Sequence, residues 1–289
     1  MASRLTPLQL VSLTAFTMIA FAANSVLGRL GLQGGDIGAG SFALIRLISG
    51  ALVLAMLVSP MRAVRSGSWK GSFALFIYAA FFSYAYLQLA AGTGALILFA
   101  IVQITMVGAG LLSGERFTPL QWTGLLSALL ALGWLLSPGL EAPPLIGALA
   151  MTIAGIGWGA YSLLGRNTGA DPTHNTAGNF LRASLIGLAC LLPLILFIAP
   201  EQRPGLNGVI WATLSGALTS GLGYALWYKA LKQLSATRAG IAQLTVPAIA
   251  ALGGVLFLQE PLTLRFALSS LIILGGVGLA TLTQGKTAP

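Results

Sequence analysis

Residues 111–119 read LLSGERFTP and residues 257–263 read FLQEPLT. Each stretch follows an apolar run with a glutamate and, three residues later, a threonine: Glu115 with Thr118, and Glu260 with Thr263. The offset is 145 residues. Sliding the chain by that amount also lays Gln88-Leu89-Ala90-Ala91 on Gln233-Leu234-Ser235-Ala236, and Gly133 on Gly278. Upstream the correspondence continues at a shorter offset. Ser25-Val26-Leu27-Gly28-Arg29 falls on Ser162-Leu163-Leu164-Gly165-Arg166, and Arg46 falls on Arg182. A longer loop near 199–207 absorbs the difference. The chain reads as a duplication.

Composition says what solvent the two copies face. Of 289 residues, 56% are hydrophobic and 7% charged, where a soluble domain carries roughly 25% charged residues. A soluble fold cannot hide that much apolar surface, so the expected solvent is lipid. The 37 glycines fit the same setting, because small residues let membrane helices pack backbone to backbone. The net charge is +9. A nucleic-acid binder would cluster such charge on a polar face, whereas here it sits in short gaps between apolar runs, and no nucleic-acid partner is expected. Cys190 and His174 are the only residues of their kinds. That excludes an internal disulfide and a Cys/His metal site. No metal, cofactor or catalytic residue is expected.

A span needs about 20 mostly apolar residues. Ten such stretches are read: 8–28, 38–58, 70–90, 94–113, 119–137, 144–165, 175–199, 207–228, 237–258 and 263–283. The first could be a cleaved signal peptide. It runs on to about Leu27, long enough to span, and is read as a retained helix. With the N-terminus inside, cytoplasmic segments hold Arg4, Arg62, Arg65, Lys70, Arg116, Arg166, Lys229, Lys232, Arg238 and Lys286. External loops hold Arg29, Arg203 and Arg265, and Arg46 and Arg182 fall within spans. Lysine and arginine mark the cytoplasmic side, so both termini are expected there.

Five spans per copy is an odd number, so the two copies insert in opposite directions. Loop 59–69 is basic and its counterpart 199–207 is nearly neutral; loop 90–94 has no basic residue and region 228–238 has three. The expected fold is all-α and integral to the membrane. Its ten transmembrane helices form two inverted five-helix repeats, 1–140 and 141–289, which together make one transport unit. Such inverted repeats are frequent in transporters, with the substrate near midplane between the halves.

On these residues the chain resembles the drug/metabolite transporter superfamily in its EamA-type ten-helix branch. The resemblance rests on the duplicated unit, on GERFT and QEPLT after the fourth span of each half, and on FALIRLISGALVL in the second span (residues 42–54). It implies export of small metabolites across a bacterial inner membrane. Within the branch the chain looks most like the YddG-type amino-acid exporters. One departure is visible: Pro247 lies in the ninth span, but Val102 occupies the matching place in the fourth, so a hinge there is in doubt.

What the spans carry narrows the chemistry. The six acids, Asp36, Glu115, Glu141, Asp171, Glu201 and Glu260, lie in loops or at span ends. A proton-driven exporter usually places a titratable acid within the bilayer. Small multidrug-resistance relatives carry one in helix 1, and this first span has none. Transport down a gradient is therefore favoured over proton exchange. The paired glutamates could fix span ends beside an arginine or could gate. Arg46 and Arg182 could bind backbone carbonyls or hold a substrate carboxylate; their matching places favour the structural role for both.

Candidate substrate-binding residues are the polar and aromatic ones at mid-span: Asn24, Tyr78, Phe82, Phe99, Gln103, Trp158, Tyr161, Tyr224 and Gln243, with Tyr84, Trp227, Tyr228 and Thr245 offered beside them. Each could equally be packing. Trp69, Trp122, Trp211 and again Tyr228 suit an interfacial aromatic belt. Aromatic faces with a few hydrogen-bonding groups suit amphipathic small molecules, amino acids first among them. Glycines around Trp158 and Tyr224, with Pro193 and Pro247, would let spans bend.

The rival carriage of phosphorylated sugars or nucleotide-sugars would need several cavity cations, and the spans offer two. A lipid-modifying membrane enzyme would need acidic metal ligands or a nucleophile with its base, and a channel a charged ring or carbonyl filter; neither pattern is present. A duplicated chain can close its own cavity, which is consistent with a functional monomer whose partners are its substrate and the bilayer.

Overall fold

A computed structural model describes residues 5–114, 117–139, 141–166, 171–198, 203–234, 239 and 242–282. Of the residues named above, Arg4, Glu115, Arg116, Glu201, Ser235, Ala236, Arg238 and Lys286 lie outside that set. The regular secondary structure of the described residues is all helical, with no strand among them. In chain order the helices are α1 (Pro7–Leu32), α2 (Ala39–Leu57), α3 (Pro60–Arg65), α4 (Trp69–Ala85), α5 (Ala91–Leu112), α6 (Pro119–Leu136), α7 (Leu145–Arg166), α8 (Pro172–Pro193), α9 (Leu206–Leu214), α10 (Gly223–Leu231), α11 (Thr245–Leu258) and α12 (Leu264–Leu282). A wide π turn, Leu194–Ile198, follows α8, and a second, Ser215–Leu222, joins α9 to α10.

Helix lies within all ten stretches read as spans. Seven helical stretches among the described residues are long and apolar enough to cross a bilayer: Pro7–Leu32, Ala39–Leu57, Ala91–Leu112, Pro119–Leu136, Leu145–Gly165, Pro172–Ile198 and Leu206–Leu231. α4, α11 and α12 are shorter in their described apolar length. The outward side chains are those of a lipid-facing surface: Leu112 is 92% exposed, Met56 82% and Phe197 80%. In water such patches would aggregate. In hydrocarbon they are simply solvated.

The helix ends explain half of the repeated motif. Thr118 caps α6: its side chain accepts from the Gln121 amide at 3.3 Å, and the Gln121 side chain accepts from the Thr118 amide at 2.7 Å. This is a capping box, with Pro119 at the first helical position. Thr263 caps α12 without the reciprocal bond, accepting from the Phe266 amide at 3.1 Å. Both threonines of the pair are N-caps. α1 repeats the device with Thr6, Pro7 and Gln9.

Proline shapes the two spans where it falls. A proline cannot donate to the preceding turn and its ring crowds the carbonyl four residues back. After Pro193 the helix widens into π geometry. Pro247 is the third residue of α11, and the ninth span breaks at Leu244 just before it. The span expected over 237–258 is thus interrupted at Leu244, with Ala239, Ala242 and Gln243 helical on one side and α11 on the other.

α8 begins at Asp171, whose side chain accepts from the amides of Thr173 and His174 at 2.9 and 3.1 Å. Burial pushes its carboxyl pKa up, but those two amides, with His174 and Lys232, pull it down by more, so it sits below the ordinary carboxylate value. A depressed carboxylate contributes stability above its unfolded pKa, and that contribution is lost as pH falls through the folded pKa. Asp171→Ala is expected to cost about 1 kcal/mol at neutral pH. The difference from wild type should shrink as pH falls through that lowered folded pKa, as thermal unfolding in detergent across pH would record.

The two halves of the chain interleave. α4 and α5 pack on α7, α2 on α8 and on the Ser215–Leu222 turn, α1 on α11, α5 on α11, and α6 on α12. The α6–α12 crossing is so close that a Cβ on Gly124 would overlap the Gly276 carbonyl.

Candidate functional site

At the centre of this packing lies a cluster of rings. Trp158 of α7 has its ring centroid 4.5 Å from Tyr224 of α10, 5.1 Å from Tyr78 of α4 and 5.5 Å from Tyr161. Tyr78 lies 5.3 Å from Phe82. Phe21 of α1 meets Trp158, Tyr224 and Trp227 edge-on at 5.7–5.8 Å. Every one of these side chains is buried. The tilted and edge-on geometries are the ones aromatic quadrupoles favour.

Threaded through the rings is a hydrogen-bond network. The Tyr78 hydroxyl accepts from Asn24 Nδ2 at 3.1 Å, from Arg46 Nη2 at 2.9 Å and from the Tyr224 hydroxyl at 3.1 Å. Asn24 Oδ1 accepts from Ser215 at 2.6 Å and Thr219 at 3.0 Å. Arg46 donates through Nη2 to the Tyr224 hydroxyl at 2.9 Å and through Nε to Ser220 at 3.0 Å. Ser215, Thr219 and Ser220 all come from the wide turn. It approaches α2 closely because Gly216 stands against the Arg46 carbonyl and Gly50 against the Gly216 carbonyl.

Six of the nine residues nominated from sequence meet here: Asn24, Tyr78, Phe82, Trp158, Tyr161 and Tyr224. Phe99, Gln103 and Gln243 are buried but stand outside this network of rings and hydrogen bonds. Among the others offered, Trp227 is buried, whereas Tyr84 is 44% exposed and Thr245 faces outward; one residue of register on a helix turns a side chain by about 100°. Tyr228 leaves the aromatic belt too. It is 5% exposed, and its hydroxyl lies 3.4 Å from the Tyr161 carbonyl. Trp69 and Trp122, exposed by 62% and 41%, fit that belt.

The two intramembrane arginines, expected to share one role, differ. Arg182 donates to the carbonyls of Ser66, Gly178 and Val64 and lies over the Trp69 ring. It ties α8 to the end of α3. Arg46 is 1% exposed and bonds only side-chain hydroxyls. Sequence reasoning also missed Phe21, Ser215, Thr219 and Ser220. The visible signal was the small polar run SGALTSGL, residues 215–222, rich in hydroxyls for an apolar span.

Glu260 has the other half of the motif's answer. Gln259 closes α11 in a left-handed conformation (φ 56°), and the Glu260 amide turns back to the Gly254 carbonyl at 3.1 Å. That aims the Glu260 carboxylate at the N-terminus of α5, where it accepts from the Ala91 amide at 2.8 Å, and at Arg29 Nε, 3.4 Å away. Arg29 in turn donates to the carbonyls of Tyr86 and Leu87, each at 3.1 Å. The pair therefore joins α1, the α4–α5 turn and α11 at one end of the bundle. Beside it opens a cavity of about 220 Å³ lined by Gln88, Thr93, Glu141, Glu260 and Phe266 among others. Among the described residues no group of acids, histidine or cysteine could hold a metal.

Known proteins resemble this chain in sequence and in fold. Residues 145–282 match the model of the EamA-like transporter family. An uncharacterized protein of Pseudomonas aeruginosa is 51% identical over 270 residues, covering 92% of each chain. The uncharacterized transporter YoaV of Bacillus subtilis is 25% identical over 51% of this chain and 50% of its own. A solved crystal structure superposes with a TM-score of 0.66 at 21% identity, over 94% of this chain and 96% of that one. The last supports the fold alone. With a bundle of apolar helices around a buried polar and aromatic centre, this chain is a multi-pass membrane protein whose residues 145–282 are similar to the EamA-like transporter family.

Proposed function

We propose that the protein exports amino acids, aromatic and hydrophobic ones included, or similar small metabolites. It works by alternating access across a bacterial inner membrane, in the manner of the YddG-type exporters. The observation that carries this reading is the buried cluster of Asn24, Tyr78, Trp158 and Tyr224, drawn from four helices of both sequence halves. Rings with a few convergent hydrogen-bonding groups suit an amphipathic ligand. The ten helices are read as two inverted repeats, 1–140 and 141–289, with both termini cytoplasmic. Two things support that: the pairing of α6 with α12 and α5 with α11, which occupy matching places in the two halves, and a family match that spans one five-helix unit, 145–282. Asp36, Glu141, Asp171 and Glu260 lie at helix ends or between helices, which favours movement down a gradient over proton exchange. A functional monomer fits a chain that builds its centre from both of its own halves.

The test is counterflow of labelled amino acids into liposomes holding the purified chain, with and without an imposed pH gradient. Flux of at least one amino acid, indifferent to the gradient, is expected. Absence of flux from folded protein would set amino acids aside in favour of phosphorylated sugars.

In this reading the Arg29–Glu260 pair closes one end. Its side chains are 20% and 13% exposed, between a surface pair and a fully buried one. Glu260→Gln is expected to cost about 1–2 kcal/mol of stability and to speed counterflow by loosening that end. An unchanged Tm together with unchanged flux would remove the pair from the gate.

A further inference from the structure

We infer that Arg46 is the carboxylate receptor of the central site, so that the acid group and not the amine of the substrate is what the protein requires. This rests on the cluster being the substrate site, as proposed above, and adds which chemical group it reads.

The other described arginines that bridge helices, each partly exposed, are all answered by backbone oxygens or an acid. Arg29 meets a carboxylate and two carbonyls, Arg182 meets three carbonyls, and Arg265 of α12 meets the carbonyls of Trp134 and Ser137. Arg46 is not answered in that way. Its acceptors are three neutral hydroxyls, those of Ser220, Tyr78 and Tyr224, and its Nη1 has no hydrogen-bond partner at all. Among the described residues no carboxylate lies within ion-pair distance of it. The guanidinium carbon lies 4.4 Å from the Phe82 ring centroid and 4.8 Å from that of Tyr78. Ring faces soften the burial of a cation but do not neutralise it. A buried charge calls for a counter-ion, and this one has none among the described residues.

A second donor points the same way. Trp158 Nε1 is buried and without a hydrogen-bond partner, and its ring packs on Tyr78 and Tyr224, the two tyrosines that hold Arg46. Tryptophan nitrogen is a donor only, as is guanidinium. Two unanswered donors, one of them charged, complement a group with negative charge and two acceptor oxygens. A carboxylate is that group, and arginine receives it with two parallel bonds. A phosphate ester would bring more charge than a single arginine can meet. The surrounding rings then select an apolar or aromatic substituent on the acid. Among the described residues nothing in the cluster answers an ammonium with a carboxylate of its own.

Tyr78 and Tyr224 act as placeholders in this scheme. Their hydroxyls accept from Nη2 in this structure, and both can rotate their protons toward an incoming anion, since a phenol donates as well as accepts. Ser220 on Nε keeps the guanidinium plane fixed while they do so.

The experiment uses the full-length chain in detergent, with thermal protection and competition binding read for L-phenylalanine, 3-phenylpropionate and 2-phenylethylamine. The two acids are expected to protect and compete, and the amine to be weaker by more than ~10-fold, the scale of a charge-assisted bond. Arg46→Lys and Arg46→Gln should lose the acids. The ligand series on wild-type protein decides the matter even where a variant fails to fold. Equal binding of the amine, or no protection by either acid, overturns the inference. Amino-acid counterflow that persists undiminished in Arg46→Gln also overturns it and leaves the transport reading standing. Protection by 3-phenylpropionate without any amino-acid flux does the reverse: the receptor stands and the proposed cargo falls.

Discussion

Gly216→Ala is expected to destroy the folded protein, although a glycine-to-alanine change inside a helix normally stabilises it by about 0.5–1 kcal/mol. The reason for the reversed sign lies across the helix interface. Gly216 sits in the wide turn Ser215–Leu222. A Cβ built there would overlap the Arg46 carbonyl and the Ser49 hydroxyl and would lie 2.8 Å from the Arg46 carbonyl carbon. The obstacle is backbone, so no rotamer change relieves it. Moving the turn away from α2 would pull Ser220 from Arg46 Nε and Ser215 and Thr219 from Asn24, leaving buried polar groups unpaired at about 1–3 kcal/mol each. Overpacking itself adds about 1–3 kcal/mol. Loss of monodisperse protein on size exclusion, or a collapse in Tm, is the expected record. Gly275→Ala, where an added Cβ meets nothing within 4 Å, should be neutral or mildly stabilising. A Gly216→Ala protein as stable as that control would show that α2 and the turn do not approach as described.

The Trp158→Ala/Tyr78→Ala double variant is expected to abolish counterflow. Trp158 touches Phe21, Tyr78, Tyr161 and Tyr224, so its removal opens a void where four rings converge. A buried aromatic-to-alanine change costs about 3–5 kcal/mol when neighbours cannot close in. The Tyr78 change strips the shared acceptor from Asn24 Nδ2, Arg46 Nη2 and the Tyr224 hydroxyl. Because both losses also weaken the fold, Tyr78→Phe belongs beside them. It keeps the ring stack and removes the hydroxyl alone. That variant should remain folded with flux reduced by roughly tenfold, the value of about 1.4 kcal/mol. Full flux from Tyr78→Phe, with the double variant folded and still active, would mean that the cluster packs the bundle and carries no substrate.

The repeated glutamate and threonine show where legibility stopped. Thr118 and Thr263 were readable as helix starts, since a threonine before an apolar run acts locally, accepting an amide three residues on. Glu260 was readable as a polar residue at a span end, set beside an arginine or in a gate, but not beside which arginine. Its partner Arg29 lies at the far end of the sequence, in α1, and nothing in either neighbourhood announces the other. The prolines behaved in the same divided way. Their local effect, a break near Leu244 and a widened turn after Pro193, follows from missing donors; the direction in which each span then runs does not.

What the sequence determined by itself was everything set by short range and by solvent. Low charge with high apolar content demanded lipid, apolar run length placed the helices, and threonine, proline and aspartate set where several begin. Those signals work because helical hydrogen bonds close within four residues and transfer into hydrocarbon acts residue by residue. Only the tertiary structure decided which faces meet. Arg46 and Arg182 hold matching places in the two halves, yet Arg182 is answered by carbonyls and Arg46 by tyrosines from α4 and α10. In hydrocarbon a leucine face has no preference for one neighbour over another. The choice of partner falls to close glycine contacts and scattered hydrogen bonds, such as Gly216 against α2 and Ser220 on Arg46, whose meaning exists only once helices distant in sequence are side by side.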